Sequence, residues 1–252
     1  MTFKSFFLAL AAAVMLMATP ALAAEKSHFV NGIDAAYPPF AFVDSSGKPS
    51  GFDIDSMDWI AEKMGFTVEH KPHDWGGIIP TLLAGKIDMV ASGMSMSPER
   101  KERVNFSEPY WTVRKYLLVK DDSALTREDL LTGKKRLGVQ AGTNEEEYLK
   151  QQIEKQGWNY TLRAYPSAAL AIEDLINGRI DGAAIDSAPA DDAMNRGKKP
   201  IKVAGEFANP DTFGVAVRKE DTALLEKINK GYELLKADPY WQELQDKYIN
   251  VQ

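Results

Sequence analysis

Short apolar runs alternate along the chain with stretches in which apolar residues recur every three or four positions. In the first half, the runs of strand length cover residues 29–35, 66–69 and 87–91. The first helical pattern between them runs from the predicted N-cap Asp53 to a stop at Gly65. The second runs from the predicted N-cap Asp74 to about Gly85. This order of strand, helix, strand, helix and strand predicts a parallel sheet with helices on its faces.

The same alternation restarts in the second half of the chain. Strand patterns there cover residues 136–140, 161–164 and 180–185. Thr143 or Asn144 opens one predicted helix, and Ser167 caps a second helix that ends before Gly178. We therefore expect a second α/β unit built like the first.

Two extended segments and a helical tail complete the predicted organisation. Residues 110–119 and roughly 210–217 flank the second unit, so we expect both to cross between two lobes. The tail at 222–248 predicts two amphipathic helices interrupted at Asp238 and Pro239. The expected division is a signal peptide at 1–23, lobe 1 at 24–112 and 210–252, and lobe 2 at 113–209.

The first 23 residues predict a secretory signal peptide that is cleaved after Ala23. Lys4 precedes an apolar run at 6–17, and the segment ends in the small-residue sequence ALA. A membrane-spanning helix needs roughly 20 apolar residues, and neither this run nor any later segment reaches that length. We therefore expect a periplasmic protein that is not embedded in the membrane.

Composition narrows the possible classes of function. The formal net charge of −6 at pH 7 argues against nucleic acid as a partner. The chain has no cysteine, which excludes disulfides and a lipid-modified cysteine. Pro72 separates His70 from His73, so this histidine pair does not have the spacing of a metal site on a helix. We expect neither a metal ion nor a cofactor.

The turn after the third predicted strand carries the most candidate chemistry. It contains Ser92, Gly93 and Ser95, small residues that leave the backbone accessible to a ligand. Ser97 followed by proline predicts a helix start that places Arg100 in the first turn. A guanidinium beside unpaired N–H groups can hold a carboxylate with two hydrogen bonds. A surface arginine in a charged run is the alternative for Arg100.

This region, GMSMSPER followed by VNFSEPY, resembles the bacterial extracellular solute-binding proteins of family 3, the polar amino-acid binding components of ABC importers. Further matching stretches are DAAYPPF at 34–40, GFDID at 51–55, WGGIIPTL at 75–82, VQAGT at 139–143 and GRIDGAAID at 178–186. The resemblance covers essentially the whole chain after residue 25. It implies an α/β fold, the two-lobed type II periplasmic binding protein, in which each lobe is a mainly parallel sheet flanked by helices and two segments form the hinge.

The resemblance also implies that the cleft between the lobes holds a free L-amino acid with a polar or basic side chain. Arg100, with the serines and glycine of the small-residue turn, would hold its carboxylate from lobe 1. Thr143 and Asn144 would add backbone N–H groups from lobe 2, although a plain N-cap explains Thr143 equally well. Asp186 would hold the α-ammonium, and a helix cap is the alternative for this carboxylate.

Four further residues would face the ligand side chain. Tyr37 and Trp75 could sandwich its aliphatic part, with ordinary core packing as the alternative. Asp34 matches a family position that often faces the side chain, where a carboxylate favours basic or amide groups; a strand-end turn is the alternative. Gln140 departs from a lysine that some glutamine-binding relatives carry.

Other functions occur on the fold that this resemblance implies. A few relatives are cyclohexadienyl dehydratases, for which Glu173 or Asp174 would be the candidate general acids. A ligand-sensing subunit that docks a receptor would have the same cleft. The resemblance implies an ABC permease with its ATPase as the partner, and we expect a monomer without catalytic residues.

Overall fold

The structure is a computed structural model that describes residues 26–250, so the predicted signal peptide lies outside the described residues. The strands in this range are β1 (His28–Ile33), β2 (Ala36–Tyr37), β3 (Ala41–Val43), β4 (Pro49–Ser50), β5 (Thr67–Pro72), β6 (Met89–Val90), β7 (Asn105–Phe106), β8 (Trp111–Lys120), β9 (Lys135–Gln140), β10 (Tyr160–Tyr165), β11 (Gly182–Asp186), β12 (Ile201–Phe213) and β13 (Ala216–Val217). The α-helices are α1 (Phe52–Met64), α2 (Ile78–Leu83), α3 (Pro98–Arg103), α4 (Arg127–Thr132), α5 (Asn144–Gln156), α6 (Ala168–Ile176), α7 (Ser187–Asp191), α8 (Thr222–Ala237) and α9 (Tyr240–Tyr248). None of these helices combines the length and the apolar character that a bilayer crossing requires.

The first sheet has the strand order β5-β1-β6-β13-β7. Strand β1 pairs in parallel with β5 and β6, whereas β13 runs antiparallel to β6 and β7. Helices α1, α8 and α9 share one core, in which Phe52, Ile60, Tyr232 and Leu235 are almost completely buried. Burial of this apolar area ties the C-terminal helices to the first lobe.

The second sheet has the strand order β10-β9-β11-β8-β12. Its strands β10, β9 and β11 are parallel, β8 runs antiparallel to β11, and β12 runs antiparallel to β8 and so in the direction of the first three. Helix α6 buries Ala171, Ile172 and Leu175 against this sheet. Both lobes therefore have the predicted α/β build with a mainly parallel sheet, in which one strand, β13 in the first sheet and β8 in the second, runs antiparallel to the others.

Strands β8 and β12 extend from the second sheet to the first. Phe213 at the end of β12 pairs with Trp111 at the start of β8, and it also forms a bridge with Ser95. Val113 and Phe213 belong to the apolar core of the first lobe. These paired strand ends coincide with the predicted crossings, while the lobe boundaries at 112 and 210 stay a prediction.

One predicted helix start is wrong, and a second is right in position only. Gly51, not Asp53, is the N-cap of α1; its φ is 134°, and a Cβ there would lie 2.3 Å from the carbonyl oxygen of Phe40. Asp74 occupies the predicted N-cap position, but it opens a single 3₁₀ turn at Trp75–Gly77, makes no side-chain cap hydrogen bond, and is followed by α2 only from Ile78. The predicted cap at Asp53 is therefore two residues too late, because the backbone conformation available to Gly51 sets the start of α1.

The hydroxyl caps are confirmed. Ser97 and Ser167 accept hydrogen bonds from the backbone N–H groups three residues further along, at the starts of α3 and α6. Thr143 does the same for α5. Gly65 ends α1 with a φ of 73°, the left-handed conformation expected of a glycine stop.

Candidate functional site

A cavity of about 20 Å³ lies where residues at the carboxyl ends of β6, β9 and β11 meet between the lobes. Its walls are formed by Tyr37, Trp75, Ser92, Gly93, Ser95, Arg100, Gln140, Thr143, Glu145 and Asp186. All predicted ligand-binding residues except Asp34 and Asn144 are in this wall. The carboxyl ends of parallel strands and the starts of the following helices thus gather at one place, as in other open α/β sheets.

Arg100 is 9% exposed and links the two lobes. Its Nη1 donates to Ser95 O at 3.0 Å, and its Nη2 donates to Gly142 O at 3.2 Å. The guanidinium carbon lies 5.5 Å from the centroid of the Trp75 ring, within the range of a cation–π contact. Burial lowers the pKa of Arg100, but an arginine remains protonated in proteins. A permanent positive charge therefore faces the cavity.

Hydrogen bonds from the first lobe hold the small-residue turn in place. Ser92 Oγ accepts from the Asp34 N–H at 2.9 Å. The Gly93 N–H donates to Asp53 Oδ2 at 2.6 Å, so this backbone donor is already used. The hydroxyls of Ser92 and Ser95 are the donors that the turn offers to a ligand.

Asp53 is a structural support of this turn that the sequence interpretation missed. It is completely buried, and its Oδ2 accepts from the Gly93 N–H and, at 2.7 Å, from Tyr110 Oη. Its Oδ1 is buried without a hydrogen-bond partner. Burial raises the pKa of Asp53 to about 7, although both hydrogen bonds act in the opposite direction. The sequence interpretation assigned Asp53 only to a helix cap and did not predict this support of the turn.

Asp186 ends β11 and receives hydrogen bonds from two sides. Its Oδ2 accepts from Tyr37 Oη at 2.6 Å across the cleft, and its Oδ1 accepts from Lys115 Nζ at 2.7 Å. Asp186 precedes α7 but makes no side-chain cap hydrogen bond, so capping does not account for it. Burial, reinforced by the negative charge of Glu145, raises the pKa of Asp186 well above its ordinary value.

Lys115 and Glu145 form a buried ion pair, and neither residue was among the predicted ligand-binding residues. Lys115 is 4% exposed and Glu145 is 6% exposed. Burial acts to raise the pKa of Glu145, but the Lys115 ammonium outweighs it and holds that pKa below its ordinary value. The available signal was a lysine inside the apolar run of residues 111–119, where a charge is costly without a partner.

Asp34 and Gln140 face each other from opposite lobes. Gln140 Nε2 donates to Asp34 Oδ2 at 2.6 Å, and the Ala36 N–H donates to Asp34 Oδ1 at 3.0 Å. Burial raises the pKa of Asp34, with the Gln140 hydrogen bond acting against it. Asp34 therefore lies outside the cavity wall and contacts it through Gln140.

Asn144 lies beside the cavity instead of in its wall. Its Nδ2 donates to Asp211 Oδ2 at 3.2 Å, and it lines a neighbouring groove. Thr143 does line the cavity; its Oγ1 accepts from the Glu146 N–H and donates to Gln140 O at 2.8 Å. Thr143 thus combines the two roles that its sequence position allowed, a helix cap and a wall of the cleft.

The two candidate general acids of the dehydratase alternative lie outside the cavity wall. Glu173 pairs with Lys199 and Asp174 pairs with Arg179, and neither carboxylate lines the cavity. Among residues 26–250, no group of three or more histidine, cysteine, aspartate or glutamate side chains is arranged to hold a metal ion. The groups gathered in the cleft are instead those of a binding site for a small charged molecule.

Two α/β lobes, a cavity lined by both, and two strands that run from one lobe to the other define a type II periplasmic binding protein. The sequence model of the bacterial extracellular solute-binding proteins, family 3, matches residues 29–251. The chain therefore belongs to the bacterial extracellular solute-binding proteins of family 3.

Individual relatives resemble the chain over almost their full length. ABC transporter arginine-binding protein 1 of Escherichia coli is 33% identical over 246 residues, which cover 96% of this chain and 98% of that protein. An ABC uptake transporter substrate binding protein from Streptococcus pneumoniae, solved with bound histidine, has a TM-score of 0.83 at 31% identity and covers 88% of this chain and 92% of its own. An ancestral amino acid-binding protein, a precursor of cyclohexadienyl dehydratase, has a TM-score of 0.80 at 35% identity, covering 89% of this chain and 96% of its own.

Proposed function

We propose that this protein binds a free L-amino acid with a polar or basic side chain between its lobes and delivers it to the membrane permease of an ABC importer. One observation carries the proposal: Arg100 and Asp186, of opposite charge and from opposite lobes, line the same cavity. An α-amino acid carries the complementary carboxylate and ammonium on one carbon. Charge-assisted hydrogen bonds are strong enough that a few can supply the roughly −8 kcal/mol of micromolar binding after ordering costs.

Contacts across the cleft suggest how the lobes respond to the ligand. Tyr37 donates to Asp186 and Gln140 donates to Asp34, each pair joining the two lobes. The cavity of about 20 Å³ between them is of the size that holds about one water molecule. An amino acid therefore enters when the lobes separate, and it replaces some of these contacts. Closure is then favoured by as much as the ligand binds the closed form better than the open one.

The side-chain end of the cleft supports a polar or basic ligand. Burial disfavours an ionised Asp34, and a cationic side chain would compensate its charge. The aromatic faces of Tyr37 and Trp75 would add roughly 0.5–2 kcal/mol for a cation. The relatives named for arginine and solved with histidine agree with this preference.

The same proposal places the mature protein in the periplasm as a monomer. A signal peptide at 1–23, cleaved after Ala23, would export the chain. Residues 24–112 with 210–252 would form lobe 1, and residues 113–209 would form lobe 2. Membership of the family supports a permease with its ATPase as the partner. Binding and release by this cleft require neither a cofactor nor a catalytic group.

A thermal-shift screen of the mature chain tests the proposal. The twenty amino acids, ornithine and citrulline are compared, because a ligand that binds only the folded state stabilises it by about 2.7 kcal/mol at 100 times its dissociation constant. We expect at least one amino acid to raise the melting temperature. The α-carboxamide of that amino acid is the matched control ligand, because it lacks the carboxylate charge that would pair with Arg100. It should raise the melting temperature far less. A flat response to every amino acid would contradict the proposal.

A further inference from the structure

Lys115 is a buried cation that the proposed function does not use. It lies on β8 opposite Asp186 of β11 in their antiparallel pair. Its Nζ donates to Asp186 Oδ1 at 2.7 Å and to Glu145 Oε1. It also lies 3.5 Å from Asp211 Oδ2 and 3.5 Å from Ser95 Oγ. One ammonium thus holds two carboxylates that face the ligand cavity.

Lys115 contacts these carboxylates but does not itself line the cavity. Glu145 and Asp186 line the cavity of about 20 Å³. Lys115 instead lines a separate groove of about 590 Å³, and Glu145 forms part of the wall of both spaces. The ammonium therefore leaves the cavity face of each carboxylate to a ligand. Its closest links to the ligand cavity are therefore its contacts with Glu145 and Asp186.

The charge balance of this cluster requires a cation behind it. The charged and titratable groups around Asp186 come from five elements: Tyr37 of β2, Arg100 of α3, Lys115 of β8, Glu145 of α5 and Asp211 of β12. Two carboxylates buried side by side do not both stay ionised without a cation, because each charge raises the pKa of the other. Lys115 acts to lower the pKa of both carboxyl groups, although burial and Glu145 outweigh it at Asp186. When both carboxylates are ionised, they and the Lys115 ammonium together carry one net negative charge.

We propose that Lys115 is a positioning residue for ligand recognition, which favours the ionised forms of Glu145 and Asp186 and holds Asp186 ready for the ammonium of the ligand. This inference rests on the proposed function. One net negative charge matches one ammonium, the α-ammonium that every amino acid carries. A basic side chain is then left to the Asp34 end of the cleft, where the chain supplies a further buried carboxylate.

Three variants separate the charge of Lys115 from its packing. Lys115→Met removes the charge and keeps the length, and Lys115→Arg keeps the charge. The double variant Lys115→Met with Glu145→Gln removes one charge of each sign. Lys120→Met is the matched control, because Lys120 lies on the same strand and its exposed ammonium is 3.9 Å from Asp122. Calorimetry from about pH 6 to 9 gives the dissociation constants for L-arginine, L-glutamine and the amino acid with the largest thermal shift.

Lys115→Met should weaken binding at least about tenfold near neutral pH, because one carboxylate of the uncompensated pair takes a proton that the ligand must displace. The loss should shrink as the pH rises and that proton is released. The double variant should return to within about threefold of the wild type, since it restores the charge balance. Lys115→Arg should retain most of the affinity, and Lys120→Met should match the wild type throughout.

Two results would overturn the inference. One is a Lys115→Met protein with the affinity and pH profile of the wild type. The other is a double variant as weak as the single one, because a packing role predicts no rescue by a change at Glu145.

A wild-type protein that bound no amino acid would refute the proposed function. The charge balance at Lys115 can then still be tested by unfolding the ligand-free proteins at several pH values. In Lys115→Met the folded-state pKa of the pair rises above its unfolded value, so stability relative to the wild type should fall as the pH rises from about 4 to 8. The double variant should not show this fall. Identical pH profiles of unfolding for all three proteins would refute the charge balance.

Discussion

Replacing Asp53 with asparagine is expected to stabilise the protein at neutral pH and to have almost no effect at acidic pH. Asp53 is 0% exposed, and its Oδ1 has no hydrogen-bond partner. Its Oδ2 accepts from the Gly93 N–H and from Tyr110 Oη, and an asparagine carbonyl oxygen can accept the same two bonds. The substitution therefore removes a buried charge and preserves the two hydrogen bonds that hold the small-residue turn at Gly93.

The magnitude follows from the pKa of the buried carboxyl group. Burial raises the pKa of Asp53 from an ordinary value of 3.8 to about 7. The folded state thus binds this proton more tightly than the unfolded state, and stability falls as the pH rises through this interval. A pKa difference of about 3 corresponds to about 4 kcal/mol, and the full penalty applies above the folded-state pKa. Asp53→Asn should recover up to that amount.

Urea unfolding of the wild type and Asp53→Asn at several pH values tests this reasoning. The variant should gain about 0.5 kcal/mol near pH 4, about 1.5 kcal/mol near pH 5 and up to about 4 kcal/mol near pH 8. Asp44→Asn is the control, because hydrogen bonding by Ser46 lowers the pKa of Asp44 and the linkage has the opposite sign. That control should gain no stability at pH 8. A difference between Asp53→Asn and the wild type that does not change with pH would refute the reasoning.

Three further outcomes are expected. Asp186→Asn should weaken amino-acid binding by roughly 2–5 kcal/mol without loss of fold, because the ligand ammonium loses a buried charged partner; calorimetry showing unchanged affinity would remove Asp186 from the site. Asp34→Asn should weaken binding of L-arginine about tenfold more than that of L-glutamine, and equal losses would contradict a contact between Asp34 and a basic side chain. Phe213→Ala should lower the free energy of unfolding by roughly 3–5 kcal/mol, because its fully buried ring packs edge-on against Phe40 and Tyr37; urea unfolding with a loss under about 1 kcal/mol would contradict this packing role.

Local sequence patterns predicted most of the secondary structure. The strand predicted at 136–140 begins one residue earlier in β9, and the Thr143 and Ser167 caps are confirmed. Periodicity and capping depend on residues within one or two turns of each other, so they can be read from the sequence. The predicted cap at Asp53 failed because contact between Gly51 and the Phe40 backbone, eleven residues apart in the sequence, sets the start of α1.

Most residues of the cleft wall could also be predicted from the sequence. Parallel strands bring their carboxyl ends to one edge, so Ser92, Thr143 and Asp186 were expected to lie near one another, and the family resemblance assigned them to the same cleft. The tertiary structure decided which of the predicted residues form the wall itself. It placed Asn144 beside the cavity and put Asp34 behind Gln140.

The sequence by itself determined the two α/β units, the family and most of the residues of the cleft, because each of these depends on local patterns or on a resemblance in short motifs. Only the tertiary structure showed that Lys115 meets Glu145, 30 positions away, and Asp186, 71 positions away. Likewise, it alone joined Asp53 to Gly93, 40 positions along the chain. A local pattern reports whether a residue is buried, but it carries no information about which distant segment packs beside it. That packing turns a lysine in an apolar strand into the counter-ion of the ligand site.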